Sequence, residues 1–432
     1  MTIVPEIERQ SVAEIQRFQQ QKIKEVLTHV AEHSPYYQKV FAATGVDVRA
    51  FKALEDLILF PTTSKDEFHN HNWEFLAVPP GRIVEYTSTS GTLGNPVTVA
   101  LTENDLQRLA YNECISFTCA DGTGDDLYQL MLTLDRQFMA GMAYYEGIRK
   151  LGAGLIRVGP GLPSMQWDII QRLRPTALVA VPSFLIKLIE YAHAQGIDLA
   201  ASSVKKVICI GEALRTADLH LNILGSRIKD AWDVALYGTY ASTEMQTAFT
   251  ECGHGRGGHH HPELIYVEIL NDAGEPVPMG TPGEITITTL GVEGMPLLRY
   301  KTGDIAAAFQ DMCPCGRNTL RLGPVLGRKQ QMIKLKGTTV YPPGIFDALN
   351  EVGDVADYVV EVVNGRLGTD DLRLHLLVKE SVQEAATARL REVFKSRLRV
   401  APTIMFVTQT ELDKLQLIGK SRKPKRFIDS RS

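Results

Sequence analysis

The sequence has no run of about 18 or more apolar residues, the length that a membrane-crossing helix needs. Its most apolar segment, Ala177 to Ile189, is broken by Pro182, Ser183 and Lys187, which suits a buried strand and helix better than a membrane span. The opening Met1-Thr2-Ile3-Val4-Pro5-Glu6 has neither the basic start nor the apolar core of a signal peptide, so a cytosolic (cytoplasmic) protein without a membrane partner is expected. An excess of one charge is also missing. Lys and Arg number 46 against 50 Asp and Glu, and a net charge of -4 supplies no basic field for nucleic acid. Cysteine is sparse: Cys114, Cys119, Cys209, Cys252, Cys313 and Cys315 make no disulfide framework in 432 residues. In a reducing compartment, the clustered ones point to a metal.

What is present is an ordinary folded composition, 44% hydrophobic and 22% charged, in a chain too long for one core. Apolar residues at helical spacing (Ile7, Val12, Ile15, Phe18, Ile23, Leu27, Val30) predict a helix over 7–34, ended by Ser34-Pro35. From about 80 to 300, β-rich runs alternate with helical ones, as in Ala177–Val181 followed by Ser183–Ala194, and strands dominate 263–309. Such alternation predicts an α/β fold with largely parallel strands. The pattern restarts after Gly327, with strands at Tyr358–Val363 and Leu372–Val378 and a helix over Gln383–Leu398. The expected organisation is a large α/β domain over 1–327 with parallel-rich sheets and a small C-terminal α+β domain over 328–432.

The stretch Tyr86-Thr87-Ser88-Thr89-Ser90-Gly91-Thr92-Leu93-Gly94-Asn95-Pro96 is rich in hydroxyls and glycine beside a β-rich run. Glycines let the backbone approach an anion, and hydroxyls with free N–H groups can wrap phosphate oxygens. It lacks the Gly-Lys-Ser/Thr ending of a P-loop. It resembles the Ser-Gly-Thr-Thr-Gly-x-Pro phosphate loop of the adenylate-forming superfamily. His33-Ser34-Pro35-Tyr36-Tyr37 and Pro61-Thr62-Thr63-Ser64-Lys65-Asp66-Glu67 are similar to the phenylacetate–CoA ligase branch of that superfamily, and the resemblance covers nearly the whole chain. Asn95 stands where many relatives carry lysine.

That resemblance gives the remaining motifs their expected roles. Thr87, Ser88, Thr89, Ser90, Gly91, Thr92 and Gly94 would hold phosphate. Gly211, Glu212 and Ala213 would form one wall of the adenine pocket. Tyr240-Ala241-Ser242-Thr243-Glu244 resembles Tyr-Gly-x-Thr/Ser-Glu: Tyr240 would stack on adenine, Thr243 touch the α-phosphate and Glu244 hold Mg²⁺. A hard divalent ion wants carboxylate oxygen, which makes that last role chemically sound. Arg299-Tyr300-Lys301-Thr302-Gly303-Asp304 resembles Arg-Tyr-x-Thr-Gly-Asp, whose aspartate accepts from both ribose hydroxyls. Arg328, which would contact ribose or phosphate, lies in the counterpart of the hinge before a mobile small domain, followed by Gln330-Gln331 where relatives carry an acidic pair. In the basic tail Lys420–Asp429, Lys423 aligns with the catalytic lysine, and Lys420 is the alternative.

Cys252, the cluster His259-His260-His261 and Cys313-Pro314-Cys315-Gly316 offer thiolates and imidazole in a set of four, which suits tetrahedral Zn²⁺. Cys252, His259, Cys313 and Cys315 are the expected ligands of a structural zinc; His261 is an alternative to His259, and His254 a weaker one. The resemblance agrees, because relatives in this branch carry a structural metal here.

The expected activity is ATP-dependent activation of a small, aromatic, phenylacetate-like carboxylic acid to an acyl-adenylate, with pyrophosphate released. Transfer of the acyl group to coenzyme A then completes an AMP-forming ligase reaction. Resemblance places the acid near Phe138–Tyr145 and Pro182-Ser183-Phe184 and points to a homodimer. Gln330-Gln331 and Arg422 favour a rival that passes the acyl group to an acyl carrier protein or an amine. A catalytically weak nucleotide-binding protein is a second rival.

Overall fold

Ser11 decides where the first long helix begins. Its Oγ accepts from the Glu14 amide, and the Glu14 carboxylate accepts from the Ser11 amide at 2.9 Å. This capping box starts α1 (Val12–His33) and leaves Glu6–Arg9 as a separate 3-10 turn, correcting the single helix expected from residue 7. Ile15, Ile23, Val26, Leu27 and Val30 bury one face of α1. Pro35 then opens α2 (Pro35–Thr44), where its missing N–H costs nothing.

The computed structural model describes residues 4–89, 97–335, 338–365, 370–398, 400–416 and 424–431. Ser90, Gly91, Thr92 and Gly94 of the glycine-rich loop, and both tail lysines Lys420 and Lys423, lie outside them. The chain divides into two compact units. The first runs up to Leu221 and includes Gly225–Val325; the second joins Asn222–Leu224 to the chain from Leu326 onward.

In the first unit α3 (Lys65–Asn70) precedes an antiparallel pair, β1 (Ile83–Ser88) and β2 (Thr98–Thr102). There follow α4 (Glu103–Cys119), β3 (Leu127–Leu130), α5 (Met139–Leu151), β4 (Gly154–Arg157), α6 (Pro163–Leu173), β5 (Ala177–Ala180), α7 (Pro182–Ala194), β6 (Lys206–Ile210) and α8 (Ile223–Ala231), whose first two residues are counted with the second unit. After them come β7 (Ala235–Ser242), β8 (Thr247–Glu251), β9 (Gly258–His259), β10 (Ile265–Leu270), β11 (Gly283–Thr289), β12 (Tyr300–Ala306), β13 (Ala308–Phe309) and β14 (Arg321–Leu322).

The large sheet has the order β13-β14-β9-β8-β7-β6-β5-β3-β4. Its β4-β3-β5-β6-β7 half is parallel, and the strands from β7 to β13 extend it antiparallel. Every residue of β5 is buried, as expected for a strand with both faces covered. Strands β10, β11 and β12 form an antiparallel sheet.

In the second unit, β15 (Gly327–Arg328), β16 (Ile333–Leu335), β17 (Thr338–Val340) and α9 (Pro342–Asn350) lead into β18 (Val355–Asn364) and β19 (Asp370–Val378). Then follow α10 (Gln383–Val393), β20 (Thr403–Phe406), α11 (Gln409–Leu415) and β21 (Phe427–Asp429). A sheet in the order β20-β19-β18-β21 packs Val360, Val362, Leu374 and Leu376 with Ile345, Leu349, Leu390 and Phe394. The helix expected to reach Leu398 stops at Val393 and continues as a π-turn over Phe394–Leu398.

One carboxyl group in the core of the first unit ties stability to pH. Glu113 on α4 is 4% exposed, with Asn112 Nδ2 donating to Oε1 at 3.0 Å, and burial pushes its carboxyl from 4.5 up to about 8. The folded chain therefore keeps a proton that the unfolded chain loses near pH 4.5, and stability falls as pH rises from there to about 8. Glu113→Gln removes that slope, worth up to about 1.4 kcal/mol per pH unit, in denaturant melts across the window. A variant with the wild-type slope contradicts the assignment.

Candidate nucleotide site and cysteine–histidine centre

Strand ends gather the motif residues. Tyr240 lies near the end of β7 and Asp304 on β12, and the Tyr240 hydroxyl donates to Asp304 Oδ2 at 2.8 Å. Burial first, then the Asp304 charge, pushes the Tyr240 phenol well above its ordinary range, so it stays a donor. Asp304 N donates to Thr302 Oγ1 at 3.1 Å, and Thr302 Oγ1 donates to Ile285 O at 2.9 Å, pinning the bend before the aspartate. Gly303, at φ 77, occupies the left-handed region that this bend requires. Arg299 is structural: it forks onto Glu268 at 3.0 and 2.9 Å and donates to Phe60 O at 2.7 Å.

Ala241 and Ser242 end β7, and Thr243 and Glu244 begin the turn into β8, with Met245 N donating to Ser242 Oγ at 3.3 Å. Glu244 is 7% exposed and pairs with Lys65 at 3.3 Å. Gly211 follows β6 at φ 75 and begins the predicted adenine wall. Glu212 is anchored on α7, accepting from Ser183 N and Ser183 Oγ, each at 2.9 Å. The wall is tied to the sheet by Arg215, whose Nε donates to Glu251 at 2.6 Å, while Glu251 also accepts from Gly238 N at 3.0 Å. Thr87 and Ser88 are buried on β1. Thr89 N donates to Val97 O, and Val97 N to Thr89 Oγ1, each at 3.0 Å, which joins the two described flanks of the glycine-rich loop. Arg328 belongs to the second unit.

The predicted metal ligands come together in the first unit. One ligand atom from each of Cys252, His259, Cys313 and Cys315 lies within 4.8 Å of the others. Cys252 Sγ is 3.6 Å from Cys313 Sγ, and Cys315 Sγ is 3.5 Å from His259 Nε2. A tetrahedral zinc ion with Zn–S near ~2.3 Å separates two sulfur ligands by ~3.8 Å, so the donor set fits zinc. His259 Nδ1 meets Thr319 Oγ1 at 2.8 Å, the outer contact that fixes a ligating imidazole. A hydrogen bond from Cys252, then those from His259 and Arg317, hold the Cys315 thiol well below its ordinary range.

His261 is committed elsewhere: Nδ1 meets Glu8 at 2.6 Å and Nε2 meets Ser116 Oγ at 3.0 Å. Sequence reading missed Glu8, whose other oxygen accepts from Arg317 Nε at 2.8 Å, and Cys119, which packs with the three thiols. It also gave Lys65 no role. Ser64 and Glu67 of a capping box were visible around Lys65, but nothing local aimed its side chain at Glu244.

The fold and this arrangement of motifs are those of an adenylate-forming enzyme. The family model "AMP-binding enzyme" matches residues 12–294, and the chain belongs to that family. It is 29% identical over 385 residues to the phenylacetate-coenzyme A ligase of Thermus thermophilus, covering 88% of this chain and 85% of the relative. Identity to the phenylacetate-coenzyme A ligase of Escherichia coli is 27% over 417 residues, covering 93% and 92%. Among solved structures, 2-hydroxyisobutyryl-CoA ligase in the postadenylation state matches with a TM-score of 0.84 at 23% identity, over 99% of this chain and 92% of that one. No helix among the described residues is long and apolar enough to cross a membrane.

Proposed function

We propose that this chain is an AMP-forming acid–CoA ligase acting on an aromatic, phenylacetate-like acid. The single observation carrying the reading is the Tyr240 hydroxyl meeting Asp304 at 2.8 Å, with Glu244 in the turn that follows Tyr240's strand, in a chain that matches phenylacetate-coenzyme A ligases over most of its length. Asp304 accepts from the ribose hydroxyls of ATP, Tyr240 stacks on adenine, and Thr243 and the hydroxyl loop from Thr87 to Gly94 hold phosphate. Glu244 holds Mg²⁺, which neutralises charge on the phosphates. Lys423 bridges the acid's carboxylate and the α-phosphate, and Arg328 belongs to the hinge of the small domain. The carboxylate displaces pyrophosphate at the α-phosphorus; the coenzyme A thiolate then attacks the acyl carbon and releases AMP. Positioning and charge stabilisation carry the first step, since no covalent bond to the protein is needed.

The test is product analysis with phenylacetate, ATP and coenzyme A. Acyl-CoA and AMP in equal amounts are expected. Acyl-AMP that accumulates while coenzyme A stays free would transfer the second step to a carrier protein or an amine.

Cys252, His259, Cys313 and Cys315 hold a structural Zn²⁺ in this reading, because four protein donors close its coordination shell. Cys252→Ser is expected to lower bound zinc from about one ion per chain towards none and to reduce thermal stability, read by metal analysis and melting. Full zinc content in the variant excludes Cys252 as a ligand.

A further inference from the structure

Lys65 is the first residue of α3, and its side chain is 37% exposed, against 8% for its partner Glu244. Its place is fixed by the backbone before it. Thr63 N donates to Arg299 O at 3.0 Å and Lys301 N donates to Thr63 O at 2.8 Å, so this segment runs beside the start of β12, the strand carrying Asp304. Thr63 Oγ1 donates to Leu298 O at 2.9 Å and meets the Tyr37 hydroxyl at 3.1 Å. Ser64 then caps α3, its Oγ accepting from Glu67 N at 3.1 Å and its N donating to Glu67 Oε2 at 2.6 Å. The chain thus delivers one ammonium group, 3.3 Å away, to the nearly buried carboxylate assigned to magnesium.

A carboxylate with so little water around it costs free energy unless a cation faces it. Left bare beside a polyphosphate site, it would also repel the substrate. The glycine-rich loop has no Lys or Arg between Tyr86 and Pro96 to offset that repulsion. Lysine is suited to a position that must later be vacated, because its charge sits on a flexible stem and makes no bidentate fork.

We propose that Lys65 is the resident counter-ion of Glu244: it holds the cation position while magnesium is away and yields the carboxylate to Mg²⁺ when Mg·ATP binds. The proposal rests on the reading of Glu244 as the magnesium ligand. Lys65 is a positioning residue in this scheme. It keeps the carboxylate in place and makes the free pocket tolerable to an anion.

The test measures binding of α,β-methylene-ATP by calorimetry, in EDTA and at saturating Mg²⁺. Lys65→Met is expected to weaken binding about tenfold or more in EDTA but to stay within about threefold of wild type with Mg²⁺. Lys65→Met/Glu244→Gln recovers the EDTA affinity to within about threefold, since the uncompensated charge is gone, and Lys65→Arg stays near wild type in EDTA. An unchanged Lys65→Met, an equal loss with and without Mg²⁺, a double variant without recovery, or a Lys65→Arg as weak as Lys65→Met overturns the proposal. Glu244→Gln separates it from its premise. If this variant keeps the full gain in affinity on adding Mg²⁺, the magnesium assignment and the exchange fall together. If the gain is lost while Lys65→Met behaves as wild type, the exchange alone falls.

Discussion

Asp304→Ala is expected to weaken ATP binding by about a hundredfold or more. A carboxylate accepting from both ribose hydroxyls makes two charge-assisted hydrogen bonds, each worth about 1.5–3 kcal/mol where water is excluded. Asp304 is 8% exposed, so water compensates little when its carboxylate is removed. The substitution also strips the Tyr240 hydroxyl of its acceptor at 2.8 Å, which frees the ring expected to lie against adenine. A ribose-specific control separates this from a general lesion. The wild type should discriminate strongly between ATP and 2′,3′-dideoxy-ATP, and the variant should bind them alike. If Asp304→Ala still prefers ATP, the ribose is held elsewhere. Tyr240→Phe removes only one donor and should cost no more than a few-fold.

The largest expected loss of stability lies at Glu8. Glu8 is 1% exposed and its carboxylate bridges His261 at 2.6 Å and Arg317 at 2.8 Å. Arg317 reaches on to Cys315 Sγ at 3.6 Å, and its own side chain is 6% exposed. Glu8→Ala leaves that guanidinium buried without its carboxylate, a defect that costs about 3–5 kcal/mol in comparable buried pairs. Denaturant unfolding should record the loss. Glu8→Ala combined with Arg317→Met removes both charges and should recover much of the stability, because the penalty belongs to the unpaired ion. A single variant within about 0.5 kcal/mol of wild type would mean that water replaces the carboxylate at this site.

These two predictions differ in how much of their basis the sequence carries. Asp304 sits in a contiguous motif whose chemistry reads locally, as do Tyr240 to Glu244. The strand–helix alternation that predicts a parallel-rich sheet also reads locally, since burial on both faces forces runs such as Ala177–Ala180. Glu8 gave no signal, because its partners lie some 250 and 310 residues away and a glutamate in an N-terminal turn is usually solvated. The same holds for Lys65, which resembles any helix-opening lysine until the pairing of Thr63 with β12 aims it at Glu244. Sequence could not choose between His259 and His261, since both are ligand types in one cluster. The choice depends on Glu8 and Ser116 engaging His261 while His259 turns to Cys315. The helix expected from residue 7 misread a real period of apolar residues, because a capping serine outweighs periodicity at a helix start.

ATP–pyrophosphate exchange, run over a panel of aryl and alkyl acids with and without coenzyme A, tests the central claim most directly. The account predicts exchange that depends on an added aromatic acid, requires Mg²⁺, and gives way to thioester formation once coenzyme A is present. An absence of acid-dependent exchange across the panel, in protein that binds ATP through Asp304, would contradict it and leave a nucleotide-binding protein without the adenylation step.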